Sequence, residues 1–241
     1  MKRVDFENGT ITKNILGTAI PMLAAQILSL LYNIVDRIYI ARIPETGTKA
    51  LGAVVLCFPV IVIIMAFCNL FGSGGAPLFA ISRGKGDDRE ARLIMDTSFT
   101  MLCGSALVLM TTGILAAKPL LILFGASQEA IGYALPYMLI YLLGTLPSMI
   151  ATVMNPFINA QGYAVAGMCS VTVGAVLNIL LDPVFIFVLH MGVCGAAIAT
   201  VISQIFSALF VIAFLHKKAE LKVQLLKKKE LSGCIGYCKN I

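Results

Sequence analysis

The sequence predicts an all-α integral membrane protein that crosses the bilayer several times, and three observations lead to that prediction. Of its 241 residues, 59% are hydrophobic and 12% charged, whereas soluble domains average roughly 45–50% apolar and about 25% charged residues. The mean hydropathy is +0.93. The apolar residues form long continuous runs rather than alternating short strands, which excludes a β-barrel. The composition also excludes a soluble globule, a disordered chain and a collagen or disulfide scaffold.

Six apolar runs are long enough to cross a bilayer, which takes roughly 20 residues. Charges or turn residues bound them, and they fall at about 15–40, 51–81, 93–117, 131–158, 165–189 and 193–215. Residues 1–14 are predicted as a cytoplasmic N-terminal tail, 15–215 as a transmembrane lobe, and 216–241 as a basic cytoplasmic linker. The first run is too long for a signal-peptide core, so no cleaved signal is expected.

Basic residues are distributed unevenly between the two sides of these runs. The N-terminal tail, the loop after the second run and the C-terminal tail hold 14 of the 18 Lys and Arg residues. The positive-inside rule therefore predicts that both termini lie in the cytoplasm. The chain is expected to be a multi-pass protein of the cell membrane, and specifically of a prokaryotic cytoplasmic membrane. The net charge of +6 is interpreted as a topology signal, and no nucleic-acid partner is expected.

Seven prolines lie inside the apolar runs. Each removes a backbone hydrogen bond that neighbouring groups or water must replace, so such helices are usually kinked. Together they favour helices that bend around a cavity over a rigid anchor. They are Pro21, Pro59, Pro77, Pro136, Pro147, Pro156 and Pro183.

Three of the twelve acidic residues do not lie in tails, loops or flanks: Asp36, Asp96 and Asp182. Asp96 follows Arg92 by four residues near the start of the third run, so an interfacial pair is expected there. A carboxylate inside the membrane is costly and is a functional candidate by default. Asp36 and Asp182 are therefore the strongest candidates in the sequence.

The predicted topology places Asp36 and Asp182 at similar depth in the outer half of the membrane. Asn178 lies one helical turn before Asp182 on the same face, and Thr200 reaches the same layer from the sixth run. Such oxygen ligands suit Na⁺, while two close carboxyl groups suit a shared proton. A coupling site for Na⁺ or H⁺ is predicted. A structural reading stays open, in which Asp36 pairs with Arg37 and the other side chains bridge helices.

Five motifs occur in the order and spacing of a known family. They are IVDRIYIAR in the first run, GSGGAPLFAISRGKGD closing the second, NPFINAQG ending the fourth, NILLDPVFIF in the fifth and GAAIATVISQ in the sixth. Over about residues 15–215 the chain resembles the N-terminal half of a multidrug and toxic compound extrusion (MATE) transporter. The superfamily also contains polysaccharide and lipid flippases.

The resemblance implies one six-helix lobe of a twelve-helix, two-lobe antiporter that exports amphipathic organic cations. It matches Asp36, Asn178, Asp182 and Thr200 to the family's N-lobe cation site, where Na⁺ or H⁺ binding drives export. It also implies that the first helix bends, and Pro21 lies where that bend is expected. The coupling ion is the only cofactor expected.

Candidate cavity residues are fewer and less specific. Asn155, Asn159 and Gln161 belong to the NPFINAQG motif, where a helix-terminating or packing role is an equal alternative. Gln204 and Met149 are further candidates for the substrate cavity. Adaptable methionines suit a promiscuous cavity, although ordinary packing explains them as well.

One departure from the family concerns length, because the chain stops where a seventh helix is expected. Three accounts are open: a truncated or split gene, a deliberately shortened protein, or a half-size protein that pairs with a second copy or a separate partner. Truncation is favoured. The expected partners are the lipid bilayer, an organic cation, and the C-terminal lobe or a second copy.

Other functional classes find less support in the sequence. His190 and His216 are the two histidines, and HExxH, GxSxG and P-loop spacings do not occur, so no enzymatic activity is expected. A lobe of a lipid-linked saccharide flippase is the first alternative, although no Lys or Arg lies clearly within a span to meet pyrophosphate. An inactive truncated membrane fragment is the second.

Overall fold

The structure is a computed structural model that describes residues 4, 10–44 and 46–225, so most of the linker predicted over 216–241 lies outside it. All regular secondary structure in these residues is helical. The helices are α1 (Ile11–Ala41), α2 (Gly47–Gly84), α3 (Asp88–Leu123), α4 (Gln128–Leu143), α5 (Thr145–Ala160), α6 (Ala164–Pro183) and α7 (Gly192–Lys217). A π-helical turn, Val184–Val188, continues α6. Five spans are long and apolar enough to cross a membrane, and α4 with α5 makes a sixth.

The helices extend beyond the apolar runs that mark them in the sequence. α3 begins at Asp88 rather than about residue 93, because the Asp87 carboxylate accepts a hydrogen bond from the Glu90 N–H at 2.8 Å and caps the helix. At its other end α3 continues through Pro119 to Leu123. Polar turns of helix outside the bilayer carry no hydrophobic signal, so hydropathy marks only the apolar part of each helix.

The fourth apolar run forms two helices rather than the one expected over about 131–158. α4 and α5 meet at Gly144 with a bend of 54°. A Cβ at Gly144 would lie 2.7 Å from Cγ2 of Val201 and 2.8 Å from Oε1 of Gln204. Glycine at the break therefore allows α7 to approach the chain closely.

The chain direction alternates between spans, so the loops collect at two ends of the bundle. The basic end holds the α2–α3 and α5–α6 loops and the residues after α7, with Lys85, Arg92 and Lys218 among its cations. At the opposite end, the Lys49 Nζ and Glu129 Oε1 atoms form an exposed ion pair at 2.5 Å. An ion pair of this kind contributes little to stability, so the apolar interior holds the bundle together.

α1 is the helix least integrated into the bundle. It packs mainly against α6 and makes little contact with α2 and α7. Ile20, Leu23, Ile27 and Leu30 are all exposed along it. α1 runs through Pro21 as one helix. An apolar helix with so much uncovered surface must face lipid or further protein.

The π-helical turn after Pro183 brings backbone against α7. Leu189 N–H closes the turn by donating to the Val184 carbonyl at 2.9 Å. A Cβ at Gly195 would lie 2.7 Å from the carbonyl carbon and oxygen of Phe185. Because backbone atoms have little freedom to yield, this position needs glycine.

We expect Gly195→Ala to lower the free energy of unfolding by about 1–3 kcal/mol, the usual cost of overpacking. Thermal unfolding of the purified chain in detergent, followed by circular dichroism, measures the effect. Gly104→Ala is the matched control, because a Cβ there meets nothing within 4 Å and alanine gains roughly 0.5–1 kcal/mol over glycine inside a helix. Equal melting temperatures for the two variants would contradict the close approach.

Candidate functional site

The two carboxyl groups singled out in the sequence lie together in the structure. Asp36 on α1 and Asp182 on α6 lie close enough for their side chains to interact directly. Asp182 is completely buried, while Asp36 lies at the wall of a cavity. The two carboxyl groups lie in the interface between α1 and α6, the helix that α1 mainly packs against.

Asn178 connects the carboxyl pair to α7. Its Nδ2 atom donates to Asp182 Oδ1 at 3.1 Å and contacts Thr200 Oγ1 at 3.3 Å. The one-turn spacing of Asn178 and Asp182 puts both side chains on the same face of α6, as expected from the sequence. The structure thus brings together all four residues of the candidate cation site.

Three oxygen atoms of this cluster are buried and accept no hydrogen bond from the described residues: Asp36 Oδ1, Asp182 Oδ2 and Asn178 Oδ1. Ionised carboxylates are acceptors only, and a buried acceptor without a donor is costly. Oxygen atoms in excess of donors are the arrangement that a small hard cation or a proton satisfies. This set of oxygen atoms therefore fits either Na⁺ or a proton.

Tyr137 on α4 lies near the cluster and was not predicted from the sequence. It is 4% exposed and close enough to Asp36 and Asp182 to interact with both electrostatically. Its ring stacks on that of Tyr141, with centroids 6.2 Å apart. In the sequence, a tyrosine in an apolar run looks like a packing residue. The one available signal was the one-turn spacing of Tyr137 and Tyr141, which puts both rings on the same face of α4.

A cavity of about 720 Å³ adjoins the cluster and is lined by α1, α2 and α4–α7. The part of the cavity farther from the basic end of the bundle is lined by Asp36, Asn178 and Thr200. Asn155, Asn159 and Gln204, which the sequence analysis proposed as cavity residues, line it as well.

The two asparagines also fasten α5 to α6. Asn155 Nδ2 donates to the Gly167 carbonyl at 3.0 Å and to Ser170 Oγ at 2.9 Å. Asn159 Nδ2 donates to Asn155 Oδ1 at 3.1 Å. The cavity and packing roles considered for this motif therefore coexist.

The structure does not bring Met149 and Gln161 to the cavity. Met149 is completely buried among core side chains. Gln161 follows the last residue of α5 at the basic end, where its Oε1 atom accepts from the Leu221 N–H at 3.1 Å. The motif continues past the end of the helix there, so its last polar residue turns away from the cavity face.

Asp96 likewise has a contact that the sequence did not predict. Its Oδ1 atom accepts from the Gln224 N–H at 2.7 Å, and the residue is 5% exposed. This hydrogen bond accounts for the burial of Asp96 without the expected pairing with Arg92.

A bundle of apolar spans around a cavity, with one carboxyl group at its wall and a second buried beside it, has the architecture of a membrane transporter. The family model MatE matches residues 21–184, and the chain belongs to this family. Its members are transporters rather than enzymes, and the chain is a multi-pass membrane protein.

Curated relatives are longer than this chain. It is 27% identical to the multidrug export protein MepA of Staphylococcus saprophyticus over 218 residues, which covers 90% of this chain and 48% of the relative. The MepA protein of Staphylococcus aureus is 28% identical over 219 residues, covering 89% of this chain and 47% of the relative. The chain spans about half the length of the curated relatives it matches.

Solved structures show the same fold, and this chain again matches about half of the longer protein. An outward-facing multidrug resistance MATE transporter of the MOP superfamily matches with a TM-score of 0.85 and 29% identity. The match covers 96% of this chain and 52% of that chain. The expected fold, a six-helix lobe of the MATE type, is confirmed.

We expect Asn178→Leu to lower the free energy of unfolding by about 1–3 kcal/mol, because it removes the donor that Asp182 uses in a buried site. Thr200→Val should cost less, about 0.5–1.5 kcal/mol, because it removes one weak contact. Melting temperatures of the purified chain in detergent compare the two. A Thr200→Val loss as large as the Asn178→Leu loss would contradict the central position of the amide.

Proposed function

We propose that this chain is one lobe of a Na⁺- or H⁺-coupled antiporter that exports amphipathic organic cations. The observation that carries the proposal is the contact between Asp36 on α1 and Asp182 on α6, in a cluster with more buried acceptors than donors. Two ionised carboxylates repel each other unless a cation or proton lies between them. Ion binding is thereby linked to the position of α1.

Movement of α1 provides the route from ion binding to transport. α1 packs on α6 and makes few contacts with the other helices, so a change at the carboxyl pair acts within the main interface of α1. Pro21 lacks a backbone N–H and offers a place to bend. Because α1 forms part of the cavity wall, its movement changes the cavity volume.

The proposed cargo follows from the size and lining of the cavity. A volume of about 720 Å³ lies within the range of roughly 300–1,000 Å³ typical of sites for drug-sized molecules. Apolar side chains such as Val62, Phe58 and Met65 share the wall with Asp36 and several amides. An apolar body with a positive charge complements that lining, and the relatives are named multidrug export proteins.

A second six-helix lobe is the proposed partner. Gln26 lines the cavity on the exposed side of α1, where contact with lipid would leave its amide poorly satisfied. A second lobe would cover this side, and transporter sites commonly lie between two repeats. That lobe is either a separate C-terminal half or a second copy of the chain.

The proposed location is the cytoplasmic membrane of a bacterium, with the basic end of the bundle in the cytoplasm. The excess of Lys and Arg at that end supports this orientation by the positive-inside rule.

We expect Na⁺ to raise the melting temperature of the chain relative to K⁺ at equal ionic strength, since a ligand of the folded state stabilises it. At 100 times its dissociation constant the gain is about 2.7 kcal/mol. Asp36→Asn and Asp182→Asn should abolish the difference. Asp88→Asn, the same change at an exposed carboxylate of the basic end, should preserve it.

A proton-coupled site gives a different result in the same measurement. Na⁺ then has no effect, and acidification stabilises the wild-type chain more than the Asp36→Asn and Asp182→Asn variants. Responses to Na⁺ and to acid that are identical in the wild type and both variants would contradict either form of coupling.

We expect cells expressing these 241 residues to export a fluorescent organic cation if two copies complete the cavity, and Asp182→Asn to abolish that export. Insertion of both proteins must be equal, which surface labelling in membranes checks. Export that needs a co-expressed C-terminal lobe identifies that lobe as the partner. If Asp182→Asn leaves export unchanged in whichever pair is active, the proposed coupling site is wrong.

A further inference from the structure

The residues after α7 form an irregular segment, Ala219–Gln224, that bends at Glu220 and Leu221 and packs on the basic end of the bundle. Its apolar side chains alternate with its polar ones. Ala219, Leu221 and Val223 are buried, whereas Glu220 and Lys222 are exposed. The segment therefore presents one apolar face to the protein. The segment is thus seated in a groove rather than lying loosely on the surface.

Two buried side chains bind the backbone of this segment. Gln161 Oε1 accepts from the Leu221 N–H at 3.1 Å, and Asp96 Oδ1 accepts from the Gln224 N–H at 2.7 Å. Gln161 lies in the α5–α6 loop and is 1% exposed, while Asp96 lies on α3 and is 5% exposed. Buried acceptors paired with particular N–H groups fix the register of an otherwise irregular chain.

Two further contacts connect the same end. Arg83, at the end of α2, pairs with Glu220 at 2.5 Å and with Asp88 at 3.1 Å. Gly162, next to Gln161, accepts from the Val4 N–H at 2.9 Å. The α5–α6 loop therefore binds the backbone both of the segment after α7 and of the chain preceding α1.

We propose that Ala219–Gln224 is a latch, positioned by Gln161 and Asp96, that ties the exit of α7 to the basic ends of α2, α3 and α5. The latch makes these helices move as one body at the basic end. The inference does not depend on which ion or cargo the transporter uses.

The positions of the two hydrogen-bonded amides give the latch a specific signature in amide hydrogen exchange. The Leu221 and Gln224 amides should exchange at least about 10-fold more slowly than those of Lys222 and Val223, because only the first two donate to buried acceptors among the described contacts. Residue-resolved exchange of the purified chain in lipid nanodiscs measures this pattern.

Variants of the two acceptors test whether they position the segment. Gln161→Leu and Asp96→Leu should remove the protection of both amides, because the segment docks as a unit, while α3 and α7 keep theirs. Gln161→Glu and Asp96→Asn retain an acceptor oxygen and should restore much of it. Gln26→Leu, the same change on the exposed side of α1, is the matched control and should leave the segment protected.

A distance measurement separates a latch from a merely packed tail. Spin labels introduced through an unnatural amino acid at Lys85 and Lys217, both exposed at the basic end, should show one narrow distance distribution in the wild type. The distribution should broaden in Gln161→Leu, and a pair at Lys118 and Gln128 at the opposite end should not change.

Uniformly rapid exchange across 219–224 in the wild type would overturn the proposal. So would unchanged exchange, or an unchanged Lys85–Lys217 distribution, in Gln161→Leu. If Asp96→Leu fails to fold, Gln161→Leu alone decides, since its side chain is held in the α5–α6 loop outside the helical core.

Discussion

The contact between Asp36 and Asp182 is the polar constraint on how α1 packs against the bundle. The other helices each pack against several neighbours, but α1 leaves most of its surface uncovered and packs mainly against α6. If both carboxyl groups are ionised, they repel each other and oppose the packing of α1 on α6, unless a cation or a proton lies between them. A modest chemical change at this layer therefore acts on the helix with the least competing packing.

Much of this site was predictable because it follows from depth and helical periodicity. Asp182 and Asn178 are one turn apart, so they share a face in any helix, and alternating topology sets the height of Asp36 and Thr200. Tyr137 was not predictable in the same way. A phenol belongs equally well in an apolar core, and the proximity of Tyr137 to the carboxyl groups appears only in the folded bundle, where α4 packs against α2, α3 and α7.

The positions that the sequence misassigned lie where a helix ends or breaks. Hydropathy runs unbroken through Gly144 because most residues around it are apolar, and the need for glycine comes from α7, distant in the chain. Gln161 belongs to a motif whose earlier residues do line the cavity, but the chain has left the helix when it reaches Gln161. Periodicity predicts direction within an element and carries no information beyond its end.

The two polar layers of the lobe have opposite mechanical consequences. At the basic end, Gln161 and Asp96 pair with backbone N–H groups, so each buried acceptor has a donor within the described chain. At the carboxyl layer, three buried oxygens lack one. Satisfied networks hold a single conformation, whereas an excess of acceptors makes the conformation depend on what is bound. In the proposed mechanism, a lobe that is fixed at the basic end and responds to ion binding near the other end can move α1 without disturbing the remaining helices.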